Sequence, residues 1–105
     1  MNELKIKNLL GLAQRARKLV SGNFQVIESL KKSDEVKLLI VTEDASDRTL
    51  EDFKKISDEK KIPLIQILTK ESLGQCLGKD FRATAAVLDE GFTKSIEKLL
   101  SSAKE

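Results

Sequence analysis

"KLLIVTED", residues 37–44, sets four consecutive apolar side chains, Leu38 to Val41, between a lysine and two acids. A strand with one wet face alternates apolar and polar residues. An unbroken run of this length instead predicts a strand covered on both faces. The flanking sequence supplies the cover. Downstream, "ASDRTLEDFKKISDEKK" (45–61) places Leu50, Phe53 and Ile56 at helical spacing, with Thr49 and Asp52 resembling a capping pair. "IPLIQIL" (62–68) predicts a second strand, its Pro63 confined to the start, where a missing donor is tolerated. Thr69 can cap a short helix over 70–77, ended by Gly78 in a left-handed turn. "ATAAVLD" (83–89) predicts a further strand, and "EGFTKSIEKLLSSAK" (90–104) a closing helix with Phe92, Ile96, Leu99 and Leu100 inward.

Upstream, residues 3–20 predict a helix with Asn2 as its N-cap and Leu4, Ile6, Leu9, Leu10, Ala13, Ala16 and Val20 on one broad face. Leu19–Val20 can alternatively add a brief edge strand. After Gly22 a second helix covers 23–32, with Val26, Ile27 and Leu30 as its buried stripe and Gln25, Glu28 and Lys32 pointing away, until Ser33-Asp34 breaks the pattern. Helices alternating with short buried strands imply an α/β fold: a three-layer α/β/α sandwich around a small central mixed sheet of about four strands. No linker, repeat or low-complexity tract interrupts it, so residues 1–105 are expected to form a single domain.

Composition narrows the chemistry. No apolar stretch approaches the roughly 20 residues that span a bilayer, so no membrane role is expected. The opening "MNELKIKNLLGLAQRARK" alternates charge with apolar residues and does not read as a signal peptide. Cys76 is the sole cysteine, as expected of a cytoplasmic protein, and it sits among apolar neighbours as a small core residue. Histidine is absent, which removes histidine-based metal sites and general bases. With no phosphate-loop glycine cluster either, no catalytic set can be assembled and no cofactor or metal is expected.

Charge is unevenly spread. Residues 1–32 hold seven Lys or Arg against two acids, a net of +5, whereas the other 73 hold 12 against 15, a net of −3. The asymmetry suggests a polyanion facing one end of the molecule. The best-placed local feature is the Gly22 turn into the second helix. A helix N-terminus presents unpaired N–H groups and partial positive charge, and glycine lets another backbone approach. Asn23 and Gln25 offer donors and acceptors, while Lys18, Lys31 and Lys32 can neutralise phosphates around that spot. The same residues read equally as a turn glycine, a helix cap and a solvated lysine face. In "TEDAS" (42–46), Glu43 and Asp44 can simply charge the start of the next helix, and "GKDFRAT" (78–84) can be a plain surface loop.

"NLLGLAQRARKLVSG" (8–22), "LLIVTEDAS" (38–46), "IPLIQI" (62–67), "LGQCLGK" (73–79) and "AAVLDEGF" (85–92) occur in an order that resembles the ribosomal protein seven-Ae family, more narrowly its bacterial YlxQ branch, over about residues 5–100. The resemblance implies a small α/β/α protein that binds kink-turns, sharply bent helix–loop–helix elements of structured RNA. Carried across by position, the residues that touch the sheared G·A pairs are Gly22, Asn23, Phe24, Gln25 and Glu28. The loop that closes over flipped bases is Lys79–Thr84, including Lys79, Arg82, Ala83 and Thr84. With Lys18, Lys31, Lys32 and Glu43 these form the candidate RNA-binding set. Expected partners are ribosomal or kink-turn-containing RNA and the ribosome, with the protein a monomer. Three positions depart from the family pattern: Phe24 stands where Asn or Lys is usual, Gln25 where Glu is frequent, and Glu28 where Lys is usual. An anion at 28 reverses the sign of a long-range term, and Phe24 could compensate by stacking on a base. A protein-interaction or small-ligand module on the same scaffold is the alternative.

Overall fold

A computed structural model describes residues 3–102; Asn2, expected as a helix cap, lies outside them. The elements run α1 (Glu3–Arg15), β1 (Leu19–Ser21), α2 (Asn23–Lys32), β2 (Leu38–Val41), α3 (Asp47–Lys60), β3 (Leu64–Gln66), α4 (Lys70–Cys76), β4 (Thr84–Val87) and α5 (Glu90–Ser102). The strands form one mixed sheet of order β1-β4-β2-β3, antiparallel except for the parallel β2–β3 pair.

The apolar run behaves as its pattern demands. All four residues of β2 are fully buried, and alternate side chains enter different cores. Leu38 and Ile40 join Ile6, Leu10, Leu73 and Ile96 beneath α1, α4 and α5. Leu39 and Val41 join Val26, Leu30 and Phe53 beneath α2 and α3. The three-layer expectation therefore holds. In β4, Ala85 faces the first core and Ala86 the second.

Four local expectations are corrected. The first helix stops at Arg15, not residue 20. Arg17 takes φ 62, the Lys18 amide donates to the Ala13 carbonyl at 2.7 Å, and that of Arg17 to Gln14 at 2.9 Å. This is a Schellman closure with arginine in the left-handed position usually held by glycine, so no breaker marked it. Consequently Ala16 is exposed and Val20 lies in β1. Leu4 is 71% exposed rather than on the buried face. Finally, α3 is capped by Ser46, whose Oγ accepts the Thr49 amide at 3.1 Å, and not by a Thr49–Asp52 pair. Elsewhere Thr69 caps α4 reciprocally with Ser72, and Gly78 takes φ 68 beyond it, as expected.

Candidate functional site

The end of the sheet where β1 and β2 finish and β4 begins gathers three chain segments. β1 leads through Gly22 into α2. Gly22 is the N-cap, with φ 92 and ψ 143, a conformation that demands glycine, and no side chain caps the helix. Asn23, the alternative cap, is the first helical residue instead. Its Oδ1 accepts the buried Thr84 hydroxyl at 2.7 Å, while the Thr84 carbonyl accepts the Gly22 amide at 2.9 Å. Thr84 thus holds the start of α2 from both its side chain and its backbone. The opening N–H groups of a helix have no intrahelical partner, so this terminus keeps its donor character.

Arg82 covers the glycine. Its Nε donates to Ser21 Oγ at 3.3 Å and its Nη1 to the Phe81 carbonyl at 3.0 Å, and a Cβ on Gly22 would stand 3.7 Å from that Nε. A cation therefore lies beside the positive helix end, an arrangement that suits an anion between them. Phe24 and Phe81 are 72% and 67% exposed. Gln25 is exposed too, and Glu28, one turn further along α2, is half-buried.

The loop 79–82 is held by α4. The Lys79 amide donates to the Gly74 carbonyl at 2.8 Å and the Arg82 amide to Lys70 at 3.1 Å. Gly74 permits this: a Cβ there would lie 1.5 Å from the Asp80 carbonyl oxygen. Of the acids at 43–44, Asp44 serves a different helix from the one expected. Asp44 Oδ1 accepts the Lys70 amide at 2.9 Å, at the start of α4 rather than α3. Desolvation pushes its carboxyl upward, but the Lys70 amide, other hydrogen bonds and the Lys70 charge hold it below its ordinary value. Glu43 is exposed at this end, its amide donating to the Leu68 carbonyl at 2.9 Å. Burial pushes the Cys76 thiol up, and its sulfur donates to the Leu73 carbonyl, so it behaves as a packing group.

Gly22, Asn23, Phe24, Gln25, Glu43, Arg82, Ala83 and Thr84 thus share one end of the sheet, with Glu28 and Lys79 on elements leading from it. Lys18, Lys31 and Lys32 do not: Lys18 precedes the far end of β1, and α2 carries the other two back about 13 Å at 1.5 Å per residue. The structure places these cations at the opposite pole. Of the residues that position the site, Ser21 carried no sequence signal, Gly74 only that of a glycine within a helical pattern, and Asp44 only that of an acid near a helix start, which sequence order assigned to α3. Phe81 was visible only as a large apolar residue in a polar loop.

Comparison with known proteins gives a consistent set of matches. The profile of the Ribosomal protein L7Ae/L30e/S12e/Gadd45 family matches residues 4–97. The chain is 41% identical to the RNA-binding protein YlxQ of Bacillus subtilis over 95 residues, covering 88% of this chain and 91% of that one. It is 28% identical to the large ribosomal subunit protein eL8 of Thermoplasma volcanium, covering 96% of this chain and 84% of that one. A solved Bacillus halodurans protein of unknown function superposes with a TM-score of 0.85 at 32% identity, covering 92% of this chain and 97% of that one. The Giardia lamblia 15.5kD RNA binding protein shares the fold at a TM-score of 0.74 and 15% identity, covering 97% and 87%.

Proposed function

The chain belongs to the Ribosomal protein L7Ae/L30e/S12e/Gadd45 family, and from that premise we propose that it is a non-catalytic RNA-binding protein that recognises structured, kink-turn-like RNA through the end of the sheet where α2 begins. The observation that carries the reading is the uncapped α2 N-terminus at Gly22 with the Arg82 side chain beside it. The helix amides and the guanidinium supply fixed donors for phosphate or base-edge acceptors. Gln25 and the amide nitrogen of Asn23 offer hydrogen bonds to base edges, and the open rings of Phe24 and Phe81 offer stacking faces for unpaired bases. The loop 79–84 is anchored on α4, so its contacts are preorganised. Relatives named as RNA-binding and large ribosomal subunit proteins support ribosomal or other structured RNA as the partner, and the proposed binding form is a monomer.

Titration of a labelled kink-turn RNA against the same RNA with its G·A pairs replaced tests the reading. Tighter binding of the intact motif is expected, and Gln25→Ala should erase about 1–3 kcal/mol of that preference. Equal affinity for both RNAs would remove the kink-turn proposal. The exposure of Phe24 favours one second reading, a protein-docking surface on α2; partners that survive nuclease treatment and are lost in Phe24→Ser would support it.

A further inference from the structure

The positive charge of the N-terminal third is not spent at the α2 N-terminus. Lys18, Lys31 and Lys32 lie at the other end of the sheet, and folding brings further lysines to them. Lys37 leads into β2, Lys60 ends α3, and Lys61 follows it. The Lys18 carbonyl accepts the Leu88 amide at 2.7 Å, and the Lys37 amide donates to the Val87 carbonyl at 2.8 Å. These two lysines therefore flank the end of β4, about 10 Å apart across two strand spacings. Lys37, Lys60 and Lys61 line one groove of about 500 Å³ floored by Leu30 and Val36, with Asp34 as the one acid in its lining.

All six lysines are exposed, and none forms an ion pair; among the described residues the pairs are Lys7–Glu3 and Lys94–Glu90. Two acids at this end are engaged elsewhere. Asp89 Oδ2 accepts the Phe92 amide at 2.9 Å, and Glu90 reaches Lys94. Glu35 is exposed in the α2–β2 connection and Asp58 and Glu59 in the last turn of α3. With Asp34, Asp89 and Glu90 they make six acids at this end against eight cations, the six lysines plus the exposed Arg15 and Arg17 where α1 ends. Compensation of helix dipoles accounts for Lys31, Lys32 and Lys60, which close α2 and α3, but not for Lys18 and Lys37 at strand ends.

We infer that this lysine pole is a second, sequence-independent surface for the phosphate backbone of RNA, so that one molecule holds two RNA segments from opposite ends of its sheet. The inference rests on the reading above for the nature of the polyanion. The molecule measures 32 × 27 × 25 Å, so phosphates met at its two ends belong to different stretches of chain.

The test uses the full chain, a Lys37→Gln/Lys60→Gln/Lys61→Gln variant and the corresponding triple arginine variant. The probes are a kink-turn RNA, its G·A-replaced control and a fluorescent 20-nucleotide poly(U). Wild type and the arginine variant should bind poly(U) and carry it onto immobilised kink-turn RNA. The glutamine variant should lose that capture, and its log K against log salt for poly(U) should flatten by about 2, at roughly 0.7 per phosphate released. Its preference for the kink-turn over the control should not change. An unchanged slope with capture retained in the glutamine variant overturns the inference, as does failure of wild type to bind poly(U). Failure of the kink-turn reading appears separately, as equal affinity for the kink-turn and its control.

Discussion

Two glycines position the site for opposite reasons. Gly22 has room for a methyl group, with Arg82 Nε 3.7 Å away, but its φ of 92 excludes other residues without strain. Gly74 is helical, so alanine suits its backbone, but a Cβ would overlap the Asp80 carbonyl. Gly22→Ala should destabilise the protein by about 1–3 kcal/mol through strain alone. Gly74→Ala should cost a similar amount by overpacking and, unlike Gly22→Ala, release the loop it abuts. Hydrogen exchange separates them: the Lys79 and Arg82 amides should exchange faster in Gly74→Ala, and protection retained there would show that the loop does not depend on that contact.

At the scale of elements, helix ends decide where side chains emerge. Arg17 ends α1 in the left-handed conformation, which turns Leu19–Ser21 into an edge strand instead of a fifth helical turn. A side chain in that conformation costs about 1–2 kcal/mol, partly offset by the entropy that glycine loses on folding. Arg17→Gly should therefore raise stability by up to about 1 kcal/mol in urea denaturation, and a loss would show that the arginine side chain supplies a compensating contact. On α2, Glu28 lies four residues after Phe24 and three after Gln25, so the three share one side of the helix. On the proposed function, Glu28→Lys should tighten kink-turn binding several-fold at low salt, with the gain fading as salt rises. No change in affinity would place residue 28 off the RNA.

Across the whole molecule, Asp44 ties the end of β2 to the start of α4 and so joins the sheet to the helix that anchors the 79–82 loop. Its carboxyl is held below its ordinary value, so the folded state favours the ionised form. The sign follows from linkage: this contribution is present above the unfolded-state value near 4 and is lost as pH falls through the lower folded value. Stability should decline on acidification below about pH 4. Asp44→Asn should flatten that decline in denaturation series run at pH 7 and pH 3; an identical pH profile would show that other carboxylates carry it. The effect is small because the group is at the surface and solvent screens it.

Sequence pattern alone determined the layers. An unbroken Leu38–Val41 run has to be covered twice, apolar residues at helical spacing have to face it, and both requirements are local. Gly22 and the start of α2 were legible for the same reason, since a glycine entering a helix declares its conformation. Tertiary structure alone decided which charges share a pole. Lys18, Lys31 and Lys32 are near Gly22 along the chain, but a strand and a returning helix carry them to the far end, where Lys37, Lys60 and Lys61 join them. Likewise Asp44 accepts the first amide of α4 and Arg82 covers Gly22 through contacts 26 and about 60 residues apart in sequence. Charge acts through space and not along the chain, so proximity in sequence misplaces it wherever a short element reverses direction.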